Sequence, residues 1–436
     1  MTTSAERKLR RVVPLASAIA ALLAAPMIFA ADAPAAPAIQ TAPIAPGALA
    51  NTKFIYGGFI KMDALWSGYS EGQIANGASG SDFYVPGAIP VIAPTGTELT
   101  NGVNLHMHAK QSRFQFGTDT DTSDGKISSR FEFDLYGSSL GNDRATNTYG
   151  LQLRHAYFQY KGWLVGQTWS NFQDATSLPE TADYIGQVDG VVFVRQPQVR
   201  YTVGGFSIAA ENPQTTISNV LTGTQITSNN NVYPDITAAF NAKFSSGYVK
   251  FGLLVRQLRY VSRVAAPTAA NPNISASTTS IAATVAGKIN FGKDDLRFTV
   301  VGGSGIGRYV GLNFDNDAEL NGANNEIHAI TGWAAYAAYR HVWNAKGTWR
   351  STIMGSESSY SNDLTLLNTA GTSFVNKATA SGAINIFYTP IPKVDIGAEY
   401  RVAQREIESN AYKTATHPET TSGQLKRFQL TAKYSF

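Results

Sequence analysis

The 436-residue sequence contains no cysteine, so no disulfide braces it, although its first residues argue for export to a compartment where disulfides form. Beyond its N-terminus it also lacks any run near the roughly eighteen apolar residues that a membrane helix needs. If the chain resides in a membrane, it must cross as a β-barrel, the other structure that satisfies every backbone polar group internally. A closed hydrogen-bonded barrel would also supply the stability that disulfides do not. Charge of either sign is scarce, with 35 Lys and Arg against 31 Asp and Glu. Arg7, Lys8, Arg10 and Arg11 face a single acid, Glu6, in the first 30 residues, and setting that net +3 aside takes the formal +4 of the whole chain to +1. A balance so near zero gives no reason to expect a nucleic-acid partner. No G-x-S-x-G turn or comparable nucleophile setting occurs, so an enzyme is not expected. Neither a metal nor a cofactor is expected. His106 and His108 lie two apart on one strand face without an apparent third ligand, and Gly303, Gly305 and Gly307 form a run that no helix follows, which reads as curvature or close packing.

Among what is present, the basic residues at the N-terminus precede the apolar stretch Val12–Phe29 and the small residues Ala30 and Ala31. This is the pattern of a secretory signal peptide over residues 1–30, with cleavage expected after Ala30. Residues 31–51 are almost entirely Ala and Pro and read as an extended periplasmic tether. From Lys53 the pattern becomes a period-2 alternation that recurs in about sixteen strand-length segments, the even number that a bacterial single-chain barrel requires. Short connections such as Gly162, Gly204-Gly205 and Ser246-Gly247 alternate with long polar ones such as Ser67–Val103, Asn212–Pro234 and Gly307–Glu326. The expected fold is therefore all-β, a transmembrane antiparallel β-barrel over residues 52–436, placed in the outer membrane of a Gram-negative cell and in contact with its lipid and lipopolysaccharide. A soluble β-sandwich would not give so regular a long and short alternation.

The last strand sets the faces. Phe428, Leu430, Ala432, Tyr434 and Phe436 point one way, toward lipid, and Arg427, Gln429, Thr431 and Lys433 the other. Trp66, Trp163, Tyr388, Tyr400 and Tyr434 are candidates for the aromatic girdles, and Gly332, Ala334 and Ala338 for small outward residues that permit close packing of barrels. The same alternation turns Arg113, Arg130, Arg154, Arg200, Arg256, Arg297, Arg350, Arg401 and Arg427 inward, since a charge on the lipid face near the midplane costs roughly 2–4 kcal/mol. Arg195 shares a face with Phe193 and Val199, and a bulge at Pro197 is expected to bring it to the lumen.

Between the strand-like runs 163–169 and 191–203 lie about twenty residues with Pro179, Gly186, Gly190 and the acids Asp174, Glu180, Asp183 and Asp189. A connection of that length is usually functional. It is expected to fold inward as a constriction loop, with Asp174, Glu180 and Asp183 facing a basic wall of Arg113, Arg130, Arg154 and Arg200, while Arg195 and Arg427 also line the pore. A guanidinium fork suits carboxylate recognition, and a basic wall opposite an acidic loop makes a transverse field that concentrates anions.

The segments Ser112–Gly117 (SRFQFG), Gly125–Asp134 (GKISSRFEFD), Leu153–Tyr157 (LRHAY), Gly166–Ser170 (GQTWS) and Val194–Tyr201 (VRQPQVRY) together resemble the DcaP-like porins of Gram-negative bacteria. The resemblance covers Phe54–Tyr201 most fully. It implies a homotrimeric barrel that takes up small anions, dicarboxylates among them. Some members carry an N-terminal coiled coil, whereas residues 32–50 here show no heptads. The functional expectation is a passive channel for small hydrophilic solutes that prefers anions such as dicarboxylates or aromatic carboxylates. A general non-selective porin and a structural or enzymatic outer-membrane barrel are the competing readings.

Overall fold

The computed structural model describes residues 51–436 except 76, 93–101, 138–146, 148, 220–223, 268–272, 322–324, 367–373 and 410–419. The expected signal peptide and all but the last residue of the expected tether lie outside these. Among the described residues the helical turns are short 3-10 pieces, and the rest of the regular structure is strand.

The strands in chain order begin with β1 (Thr52–Tyr69), β2 (Asn104–His108), β3 (Arg113–Thr122), β4 (Gly125–Gly137), β5 (Gly150–Tyr160), β6 (Trp163–Trp169), β7 (Arg195–Val203) and β8 (Phe206–Glu211). Next come β9 (Thr215–Asn219), β10 (Thr224–Ser228), β11 (Asp235–Phe244), β12 (Gly247–Ser262), β13 (Ile274–Phe291) and β14 (Asp294–Ser304). The remainder are β15 (Ala318–Asn321), β16 (Glu326–Ala329), β17 (Thr331–Val342), β18 (Trp349–Ser361), β19 (Val375–Tyr388), β20 (Val394–Glu408) and β21 (Thr420–Ser435). Each barrel strand pairs antiparallel with its neighbours, and β21 closes on β1 through the register Phe59↔Ser435 to Tyr69↔Leu425. β2 and β3 both pair with β1, so they are two halves of one barrel strand interrupted near Lys61, where Ser112 Oγ accepts the Lys61 amide at 3.1 Å. Counted so, the barrel has sixteen strands, as the alternation predicts.

Closure leaves the barrel sheet without an edge, and the alternation buries one face of each barrel strand and leaves the other apolar. Ile60, Met62, Phe158, Leu253, Ile353, Ile384 and Tyr434 are among the large side chains exposed on the outer wall. Trp163, Tyr388 and Tyr434 sit at the ends of strands near the short turns, where Trp349 stacks on Tyr388 at 4.4 Å. Tyr400 is outward but lies mid-strand in β20, because period-2 alternation reports face and not depth. On β17 the expected parity is inverted. Trp333 and Tyr339 take the lipid face, while Ala334 and Ala338 are buried inside, so these small residues are not available to pack one barrel against another.

Two segments that read as polar loops carry regular structure. A four-stranded sheet, β10-β9-β15-β16, joins the β8–β11 connection to the β14–β17 connection, with β9 and β15 parallel. It packs Ile217, Ala318, Leu320 and Ile327 against Leu258, Ile274 and Ala276 on the long-loop end of the barrel. Its strands have four or five residues each, too short for alternation to show in the sequence.

Candidate functional site

The connection from β6 to β7 folds into the barrel. Its neck is closed by the Ser170 amide donating to the Val194 carbonyl at 3.0 Å. The Asn171 amide then donates to Glu211 Oε1 at 2.8 Å, and Asp174 Oδ2 accepts the Tyr248 hydroxyl at 2.7 Å. Farther along, Ser177 Oγ meets the Tyr336 hydroxyl at 2.9 Å, and Arg350 Nε donates to Glu180 Oε1 at 2.7 Å. Glu399 Oε2 accepts from Thr181 Oγ1 at 2.7 Å and from the Ala182 amide at 2.9 Å. In barrel order the loop thus runs from β8 across β12, β17 and β18 to β20, around the wall opposite its own stem.

It returns by a second path. Asp183 accepts the Ile185 and Gly186 amides at 3.2 and 3.1 Å and the Tyr84 amide at 2.8 Å, which fixes the turn and ties it to the β1–β2 connection. Asp189, wholly buried, accepts four hydroxyls: Tyr84 at 2.6 Å, Thr379 at 2.6 Å, Ser356 at 2.5 Å and Ser381 at 2.5 Å. At Gly190 the loop presses on β17 so closely that an added Cβ would lie 2.1 Å from the Ala335 carbonyl oxygen. Only a glycine fits that approach. Val188, Val191, Ile185 and Tyr84 complete an apolar cluster with Tyr69, Ile89, Tyr336 and Leu425, so the β1–β2 connection is also drawn inside.

The six expected basic residues have different settings. Arg154 is 3% exposed, donating to Glu132 at 2.6 Å and Asp134 at 2.8 Å. A register shift between Glu132 and Phe133 leaves Arg154 as an extra residue in β5, which turns Arg154 and His155 inward together. Arg427 is 2% exposed, donates to Ser67 Oγ of β1 at 2.8 Å and holds the β1–β2 connection through the Gly80 carbonyl at 2.6 Å. Arg195 lies over the Trp169 ring at 4.4 Å. The register from Trp163↔Tyr201 to Trp169↔Arg195 is unbroken, so the bulge expected at Pro197 is absent. Arg195 is instead the first residue of β7, where the strand meets the loop and its side chain folds over a ring. Arg130 pairs with Asp119 at 2.9 Å. Arg200 borders a cavity of about 330 Å³ with Lys126 and Lys161 near the short-turn end. Arg113, 20% exposed in its side chain, stands 3.5 Å from Glu132 and 3.7 Å from Asp134 and lies over the Phe59 ring at 5.2 Å. Its Nε is without a hydrogen-bond partner among the described residues.

The three loop acids are thus held by Tyr248, by Arg350 and by backbone amides rather than by the expected arginine wall. The anchors that sequence reasoning did not assign are Asp189, Glu399, Arg350, Tyr84 and Arg401, whose Nη1 donates to Gln187 Oε1 of the loop at 3.2 Å. Three carried a signal: Asp189 is a loop acid, and alternation turns Arg350 and Arg401 inward. Tyr84 had the apolar patch Phe83-Tyr84-Val85 and the apolar run that follows it at residues 88–93, in a connection whose remaining residues read as polar.

A model of the DcaP outer membrane protein family matches residues 42–436. The outer membrane channel DcaP of Acinetobacter baumannii has a similar structure, with a TM-score of 0.68 at 23% identity, covering 89% of this chain and 98% of that one. In-vitro folded OmpT, an outer membrane protein of Vibrio cholerae, gives 0.49 at 10% identity, covering 88% and 98%. An anion-selective porin from Comamonas acidovorans gives 0.47 at 10% identity, covering 88% and 100%. No curated protein matches the chain.

Proposed function

We propose, from the premise that the chain belongs to the DcaP outer membrane protein family, that this outer-membrane channel passes small hydrophilic solutes passively and prefers anions, dicarboxylates and aromatic carboxylates among them. The observation that carries the reading is the setting of Arg113. Arg113 and Arg154 share the two carboxylates Glu132 and Asp134 on this part of the wall, and Arg154 has the short bonds to both. Arg113 is left with long contacts to both carboxylates, a side chain 20% exposed and an aromatic ring beneath it. A solute carboxylate would meet the exposed part of its guanidinium, and an aromatic carboxylate would also meet Phe59. Exposed pairs of this kind are worth about 0.2–1 kcal/mol, weak enough for the solute to leave.

Arg113→Ala with Arg130→Ala is expected to lower the chloride over potassium permeability ratio about two- to threefold at low salt, where screening is least. Reversal potentials across a salt gradient measure this. An unchanged ratio would mean that these arginines only solvate the wall. The family resemblance further supports a homotrimer in contact with outer-membrane lipid and lipopolysaccharide. Native mass spectrometry from mild detergent should give the mass of three copies, and a monomer mass would count against it.

A further inference from the structure

On the far side of the bore from Arg113, three cations gather around one acid. Arg297 Nε donates to Asp295 Oδ1 at 2.7 Å, Arg340 Nη2 lies 2.6 Å from Asp295 Oδ2, and Lys288 Nζ lies 3.7 Å from the same oxygen. They come from three adjacent strands. Lys288 of β13 is paired in register with Arg297 of β14, and Asp295 with Arg340 of β17. Asp295 is 1% exposed, whereas the side chains of Lys288, Arg297 and Arg340 are 26%, 18% and 26% exposed, so the acid is covered and the cations face water. The next basic residue along the wall, Arg350, is matched by Glu180 and Asp395, which leaves the excess of two positive charges localised here. Arg340 Nε is buried without a hydrogen-bond partner among the described residues. Arg297 Nη1 also donates to the Leu178 carbonyl of the constriction loop, which places the cluster directly against that loop.

We infer that Lys288, Arg297 and Arg340 form a second anion subsite, on the β13–β14–β17 wall beside the loop, that takes one carboxylate of a passing dicarboxylate. The inference rests on the anion-channel reading and specifies where its solute pauses. Two guanidinium groups and a flexible ammonium suit a planar carboxylate, and the shared acid keeps the attraction short of trapping. A solute reaching the cluster also touches the loop's underside, so occupancy should register as interruption of the ion current.

The test is block of single-channel chloride current by succinate added on the short-turn side, for the wild type and for Lys288→Gln with Arg340→Gln. Arg297 is kept because it holds the loop. The apparent succinate affinity is expected to fall about three- to tenfold in the variant, the loss of two contacts of exposed-pair strength. Equal block in both proteins, with the wild type still anion-preferring in potassium chloride, overturns the subsite and leaves the channel reading standing. A wild type without anion preference overturns the anion-channel reading itself. Inorganic phosphate is the second probe, and phosphate block as strong as succinate block would overturn the assignment to carboxylates. Should the double variant fail to insert, Lys288→Gln alone carries the test, because Lys288 Nζ makes no short bond to Asp295; about a twofold loss is then expected, and no loss overturns the subsite.

Discussion

Asp189→Ala is expected to raise the single-channel conductance and make it unsteady, while the barrel itself stays closed. The carboxylate lies where the constriction loop, the β1–β2 connection and strands β18 and β19 meet, and it accepts a hydroxyl from each of Tyr84, Ser356, Thr379 and Ser381. Truncation strands four buried donors, each costing about 1–3 kcal/mol when left unpaired. Part of this is recovered, because Ser356 and Ser381 stand 3.2 Å apart and Tyr84 and Thr379 3.4 Å apart and can pair with each other. A net loss of about 2–4 kcal/mol remains, and it falls on the loop's packing, since the strand ladders of the wall do not involve Asp189. Gly190→Val should act in the same direction by a different route. Its Cβ has no room against the Ala335 carbonyl, so the loop must lift from β17. Planar-bilayer recordings would show larger, noisier steps for both variants. Steps of wild-type size would mean that the loop is held by its apolar packing alone.

A second large effect is expected at the long-loop end as pH changes. Asp315 is raised from 3.8 to about 7, first by burial, although Asn362 Nδ2 and the Asn316 amide donate to it at 2.9 Å each. Glu319 is likewise raised to about 7 by burial, against two bonds of 3.0 Å from the Asp363 amide. Glu408, which pairs with Lys377 at 3.0 Å, adds to both shifts, Asp363 adds to that of Glu319, and His328 faces Glu319 from β16. A carboxyl whose folded pKa exceeds its unfolded value holds more protons when folded. Its contribution is therefore full below about pH 4 and is lost as pH rises to about 7. Residues 305–321 and 325–330 should accordingly exchange amide hydrogens more slowly at pH 5.5 than at pH 8 after correction for the intrinsic rate, by an opening energy on the order of a few kcal/mol. Asp315→Asn should flatten that dependence. Equal protection at the two pH values would contradict it.

The sequence carried the barrel because period-2 alternation and the spacing of turns are local properties, visible at Phe428-to-Phe436 without knowledge of any partner. It carried the inward loop for a related reason, since a long acidic connection stands out among two-residue turns. Register is not local. Leu151 and Leu153 begin an ordinary face that His155 would continue, and they hide the extra residue at Arg154 that turns His155 inward. On β17 alternation has two phases, and the small residues Gly332, Ala334 and Ala338 fit either until Trp333 and Tyr339 claim the lipid side. Partners lie farther out of reach. Asp189 meets Thr379 across 190 residues and Glu180 meets Arg350 across 170, so alternation could turn an arginine inward without saying which acid it would meet.

The sign of the zero-current potential tests the account most directly. Purified wild-type protein in a planar bilayer, with dilute potassium chloride on one side and a higher concentration on the other, should conduct and should develop a potential of the sign set by chloride diffusion. That potential should shrink as salt is raised overall, because screening weakens the basic wall. No conductance, or a potential of the sign set by potassium, would contradict an anion-preferring channel narrowed by its inward loop.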